Sequence, residues 1–408
     1  MMKGSGRSGK NPADPESLPE NTYYADIAYK IKWAKWISAA FLILFISGGA
    51  LFNSNELNAE NFGYLLRYIN IQGPGRPGKE EFYIELDETS SVRYYKNNIV
   101  SIRKNRLDIY DMNGRKNFTS GLVYSNPVLK TSERYIITYD LGANKMEIFN
   151  SFSKIYTYKG DRPIYGAQVT DRGNVAYITS EKGYRSAVYV MDSAFNIIFG
   201  CKFGEDFIVG ADIDDKARRL AVAGFSAHDG DYLGRVILYD TNSEEPIKKT
   251  EITGEQPYRI KLHEEGIFAV FENSFRFYDL NGEEISSYDF AQRKIETADL
   301  TSRFAAVALS EATLGTCDLI LIFGGNGNIL YEYAVDEEIK DIKFSENFEF
   351  MYFLTRTGLY KINTVKTGPP LLVSTDYDET ADSIVYANEK KIFLSGLVKI
   401  NAVDAGEN

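Results

Sequence analysis

The chain has 408 residues, 44% of them hydrophobic, with 29 Tyr and 25 Phe but only 2 Trp. So much apolar residue excludes wholesale disorder, and the aromatic bias favours strands, whose half-buried pleated surfaces accommodate such side chains. The formal net charge is −11, and the first 35 residues hold six Lys or Arg against four Asp or Glu, which leaves about −13 on the remainder. A folded part that acidic repels phosphate backbones, which argues against nucleic acid as a partner.

Residues 1–32 begin rich in Gly, Ser, Pro and charge and read as a disordered basic tail. Residues 33–53 follow as an uncleaved transmembrane signal-anchor. The run from Trp36 to Phe52 contains no charged residue, and Trp33 and Trp36 stand at its entrance, where indoles favour the headgroup level. At 17 residues the run is at the short end of what spans a hydrocarbon core. Gly48 and Ala50 also suit a cleavage site, but Asp14, Glu16 and Asp26 are foreign to a signal peptide's basic start. Lys30, Lys32 and Lys35 precede the run and Glu56 and Glu60 follow it, so the positive-inside rule places the N-terminus in the cytoplasm and the rest outside, at the plasma membrane.

In residues 54–79, Leu57, Phe62, Leu65, Leu66 and Ile69 recur at three-to-four spacing, the period of a short amphipathic stalk helix. The GPGRPG stretch, Gly73 to Gly78, ends it and forms a linker.

From residue 80 to 408 short runs of Val, Ile, Tyr and Phe alternate with polar residues between turns, the pattern of strands. One feature recurs: an apolar strand, a tight polar turn, another strand. RLDIYDMNGRK (Arg106 to Lys116), RVILYDTNSEE (Arg235 to Glu245) and SFRFYDLNGEE (Ser274 to Glu284) are the clearest copies. Asp, Asn and Gly belong there because tight hairpin turns use positive φ. First strands begin near Val92, Pro127, Tyr165, Ile208, Tyr258, Glu296, Ile339 and Asp382, a mean step of about 41 residues. Four short strands per unit predict an all-β propeller, with eight blades favoured over seven. EFYIELD (Glu81 to Asp87) has no place in the first unit and is predicted to supply the missing outer strand of the last. Cys201 and Cys317 fall on different blades and are expected to be unpaired.

Carried by IYDMNG, LYDTNS and FYDLNG, the pattern resembles the bacterial YVTN/quinoprotein-like propellers. With its tail and single anchor the chain also resembles a domain-of-unknown-function family of membrane-anchored propellers found in Firmicutes. The β domain has no Trp, so the Trp-Asp pairs of WD repeats and the Trp motifs of quinone-dependent dehydrogenases are absent, and no quinone is expected.

No phosphate loop, HExxH or GxSxG occurs, and no catalytic, cofactor or metal residue is assigned. His263, in KLHEEG, reads as an exposed or satisfied turn histidine, and Asp212, Asp214 and Asp215 as a charged turn. His228, Asp229 and Asp231 lie in GFSAHDGDYLG, whose spacing fits no full calcium motif. This segment, SEKGYRS (Ser180 to Ser186) and SEATLGT (Ser310 to Thr316) read as long connections between second and third strands, which emerge on one propeller face. Tyr184, Arg185, His228, Asp229, Asp231 and Tyr232 then form a candidate interaction face, loop aromatics and Arg being suited to recognition. The function expected is a non-catalytic binding or scaffold module for an envelope protein or wall polymer. The alternatives are a lyase or hydrolase acting on glycan or a small molecule, or a sensor signalling through the anchor. Titratable groups converging on the channel would favour the enzyme, and a broad Tyr and Arg face the binding module.

Overall fold

A computed structural model describes residues 22–52, 83–86, 91–103, 105–228, 230–311, 318–366 and 368–405. The chain divides into two units, 1–71 and 72–408.

In the first unit a helix runs from Thr22 to Phe52. It exposes Trp36, Phe41 and Leu44. The expectation of a membrane-spanning helix is corrected here: among the described residues no helix is long and apolar enough to cross a membrane. The charge-free run is 17 residues and three lysines precede it within the same helix, whereas a span takes roughly 20 apolar residues. The tail predicted as disordered over 1–32 is corrected in part, because residues 22–32 are the first turns of this helix; residues 1–21, the stalk and the linker lie outside the described residues.

In the second unit the Asp-x-Asn-Gly turns set the strand pattern. Asp111 Oδ1 accepts the backbone N–H groups of Asn113 and Arg115, both at 2.9 Å, while Gly114 takes φ 77°. Asp279 does the same for Asn281 and Glu283, with Gly282 at φ 81°. Each carboxylate ties its own turn, so third and fourth strands pair wherever the motif occurs.

Eight four-stranded antiparallel sheets result, the blades of a propeller. Their first strands, called a, are Ser91–Tyr95, Pro127–Thr131, Ile164–Val169, Phe207–Ile213, Pro257–Leu262, Lys294–Leu300, Ile339–Phe344 and Ser383–Ala387, in blades 1 to 8. Each starts within two residues of the position predicted from the repeat. The ring closes as expected. Tyr83–Glu85 becomes the outer strand of blade 8, pairing Tyr83 with Asn401, Ile84 with Ile400 and Glu85 with Lys399.

The core lies between blades. The second strands, such as Ile267–Phe271 and Ala305–Ser310, are buried along their whole length. Phe268, Val270 and Phe275 of blade 5 pack on Val307, Leu309 and Leu321 of blade 6, each buried side chain contributing about 1.5–3 kcal/mol before entropy is counted. Outer strands such as Glu284–Asp289 alternate exposed and half-buried residues, and charge on these edges disfavours pairing with another chain.

Two segments predicted as long connections are hairpins. Glu181 pairs with Tyr184 across a turn in which Gly183 has φ 84°. In blade 4 the ladder continues to His228 opposite Asp231, so GFSAHDGDYLG is mostly strand. Most of the third segment, residues 312–316, lies outside the described residues.

Candidate functional site

The six residues of the candidate face are placed as follows. Tyr184 and Arg185 open the third strand of blade 3, and Asp231 and Tyr232 open that of blade 4. Asp231 is exposed. His228 ends the second strand of blade 4, and nothing of its side chain is described. Asp229 lies outside the described residues.

What joins the two hairpins is Phe207, at the start of strand a of blade 4. The Arg185 guanidinium lies 4.7 Å from the Phe207 ring centre, Phe207 lies 5.8 Å from Phe225, and Phe225 meets Tyr232 edge-on at 5.7 Å. Lys202 Nζ stands 5.6 Å above Tyr184. Tyr184, Phe207 and Tyr232 remain 45%, 45% and 44% exposed. A cation over an exposed ring contributes about 0.5–1 kcal/mol, so the ridge is held in place by contacts that leave its faces open. Phe207 and Phe225 were missed in the sequence because the first opens a strand of the next blade and the second meets Tyr232 only through the pairing of the hairpin.

A second feature was not anticipated. The next-to-last residue of each strand a pairs in equivalent register with its second strand. Around the propeller these residues are Tyr94, Lys130, Gln168, Asp212, Lys261, Asp299, Lys343 and Tyr386. The channel they border opens into a cavity of about 610 Å³, lined also by Arg93, Arg259 and Asp341.

Its carboxylates hold the blades together. Asp212 is not the turn residue expected but is buried in strand a, where its Oδ2 accepts the Leu262 N–H of the next blade at 2.7 Å and meets Lys261 Nζ at 3.0 Å. Asp299 Oδ2 accepts the Phe344 N–H at 3.0 Å, and its Oδ1 meets Lys343 at 2.9 Å. Asp341 accepts N–H bonds from Ile384 and Ile342, and the Thr297 hydroxyl at 3.2 Å. Desolvation still pushes the Asp341 carboxyl above its usual range, with Asp299 adding to the rise against these bonds and Lys343. The staples recur because a carboxylate at one blade's inner edge reaches the free backbone N–H of the next.

His263 is also corrected. It is only 8% exposed, with its ring 4.2 Å from that of Phe268. Nδ1 accepts the Glu265 N–H at 3.4 Å, and Nε2 is buried without a partner. Cys201 is free and buried, and Cys317 lies outside the described residues. Among the described residues no group of three His, Cys, Asp or Glu is placed to hold a metal ion.

An eight-bladed ring with an aromatic ridge on one face and a charged channel defines a β-propeller protein. A family model described as a family of unknown function, DUF5711, matches residues 79–394, and the chain belongs to that family. No curated protein matches the sequence. Among solved structures the chain is similar to the computationally designed Ika8 protein, at 12% identity and TM-score 0.59 over 79% of this chain and all of that one. It is similar to the C-terminal WD40 domain of Sif2, at 10% identity and TM-score 0.57 over 80% and 98%. The Dos1 propeller matches at 13% identity and TM-score 0.54 over 81% and 96%. At such identities the likeness concerns the fold alone.

Proposed function

We propose that this protein is a non-catalytic binding module whose ridge on blades 3 and 4 docks an envelope protein or a wall polymer. The observation that carries the reading is the chain of contacts Arg185–Phe207–Phe225–Tyr232, exposed at both ends and fixed by the hairpins. Recognition surfaces favour such rigid aromatic and Arg anchors, because few rotamers are lost on binding. The channel favours binding over turnover. Asp212, Asp299 and Asp341 are occupied by backbone N–H groups of neighbouring blades, and the first two by lysines as well, which argues against any of the three as a base.

The reading extends to location. The exposed apolar side chains of the N-terminal helix support attachment to the plasma membrane, and a docking partner in the envelope puts the propeller outside the cytoplasm. Alkaline carbonate extraction of the full chain, with protease added to intact cells, tests this. Release into the soluble fraction, or a propeller shielded until the cells are lysed, refutes it.

For the ridge, full-length wild type and an Arg185→Ala/Tyr232→Ala variant are cross-linked in cells and recovered. The expected result is a defined adduct that falls at least tenfold in the variant while its melting temperature is unchanged. Identical adducts from both proteins sink the docking face.

A further inference from the structure

The 610 Å³ cavity carries more positive charge than the carboxylates that line it balance, inside a protein whose net charge is −11. Lys261 and Lys343 are matched by Asp212 and Asp299. Arg93, Lys130 and Arg259 have no carboxylate within ion-pair distance among the described residues. Among the described residues Arg93 donates only to the carbonyl of Val92, at 2.7 Å, and Arg259 only to that of Ala298. Each guanidinium therefore keeps further N–H groups unused. Blades 1 and 5, which carry these two arginines, stand opposite each other in an eight-blade ring, with Lys130 on blade 2 and all three lining the same cavity. Gln168 of blade 3 lines it too, and its Nε2 is buried with no acceptor.

The cations act on one another. Desolvation lowers the Lys130 pKa below that of an ordinary lysine. Asp212 opposes this, and Arg259, Arg93 and Lys261 reinforce it. Arg93 is lowered by desolvation and by Arg259, against Asp341 and Asp299. Like charges gathered in a partly desolvated cavity cost stability when no counter-charge is present. Asp341, the one nearby carboxylate without a lysine ion pair, is already committed to two backbone N–H groups and a hydroxyl. An adjoining cavity that shares Lys130, Gln168 and Lys343 is lined also by Glu133, Asp171, Asp212, Asp215 and Glu346 alongside Lys96, Arg134 and Lys261. Three of these acids are engaged by neighbouring blades: Asp171 accepts from Glu133 N–H, Asp215 from Asp171 N–H, and Glu346 from the Tyr386 hydroxyl.

We propose that the propeller channel is an anion site in which a small oxyanion, a phosphate or a polycarboxylate, is held between Arg93, Lys130 and Arg259 and accepts from the Gln168 amide. Guanidinium forks suit oxyanions bidentately and the lysine supplies a point charge. In the lining of this cavity Arg93, Lys130, Arg259 and Lys343 stand against Asp299 and Asp341, an excess of two positive charges, which a dianion neutralises. A ligand that bridges blades 1, 2, 3 and 5 also ties together blades that share no ladder.

The test is thermal denaturation and titration calorimetry of the full chain with inorganic phosphate and with citrate, at constant ionic strength set by chloride. Lys130→Gln removes an unbalanced cation, so in chloride alone it is expected to melt above wild type. In the presence of the binding anion the order reverses, and affinity falls at least tenfold. Arg259→Gln is expected to weaken binding by a similar factor, and Lys159→Gln, on an outer strand, to leave it unchanged. Which anion binds separates the phosphate from the carboxylate class. If neither anion binds wild type at constant ionic strength, or if Lys130→Gln and Arg259→Gln bind as wild type does, the site does not exist. These outcomes are independent of the ridge and its partner.

Discussion

Tyr94 and Tyr386 stack face to face, ring centres 3.7 Å apart and planes within 13°, where the first blade meets the last. Both hydroxyls turn to Glu346 of blade 7, the Tyr94 oxygen at 3.4 Å. Desolvation and Glu346 push both phenols above their ordinary range, so the pair stays neutral through physiological pH. The two rings are the only neighbours in the ring of eight channel residues that are both aromatic, and they sit at the seam.

A double-mutant cycle with Tyr94→Leu and Tyr386→Leu is therefore expected to give a coupling of about 1 kcal/mol beyond the two single losses. Urea denaturation measures it. Additive single effects would mean that the stack adds nothing to closure.

His263 makes stability depend on pH. Desolvation, reinforced by Lys261 against Asp212, pulls its pKa down from 6.5 to about 4. The folded state thus binds this proton less readily than the unfolded chain does. The contribution is complete above pH 6.5 and declines as pH falls towards about 4, reaching roughly 3 kcal/mol lost. His263→Phe is expected to remove that dependence and to relieve the unpaired Nε2, so that the variant outlasts wild type at pH 4.5 in a melting series. Parallel pH profiles would contradict the assignment.

Asp108 is a fully buried carboxylate in the third strand of blade 1, 3.2 Å from Arg103, 3.0 Å from Arg106 and 3.3 Å from Lys116. Desolvation works against its charge, yet the Thr119 hydroxyl, Arg103 and Lys116 hold its pKa below the usual range. Asp108→Ala leaves three cations without their shared partner. Because Arg106 and Lys116 can turn to water, the expected cost is about 2–3 kcal/mol rather than the full penalty of a broken buried pair. Denaturant midpoints decide it. Asp108→Asn, which keeps the shape, is expected to cost less.

The repeat was legible because turn chemistry is local. An Asp that caps its own turn and a Gly at positive φ appear as IYDMNG or FYDLNG wherever the chain folds that way. The closing strand was legible by elimination, EFYIELD having no place in the first unit. The hairpin through His228 and Asp231 was misread because its Gly, Asp and His composition resembles a loop, while the pairing that makes it a strand depends on its partner. The channel was not legible. Its eight residues are a mixture of Tyr, Lys, Gln and Asp, and only register shows that they occupy one position. The Arg185–Phe207 contact joins residues on different blades, which no local pattern reveals.

The clasp at blade 8 has a consequence for synthesis. Tyr83–Glu85 leaves the ribosome more than 300 residues before its partner Lys399–Asp404 exists. Blades 1 to 7 each form from contiguous chain and can assemble in order as they emerge. The first-made strand must meanwhile wait unpaired, and the ring cannot lock until Lys399–Asp404 has been made. Closure is then a single late, long-range event, and the waiting edge is the point at which a nascent chain is most exposed to pairing with a neighbour on the same message.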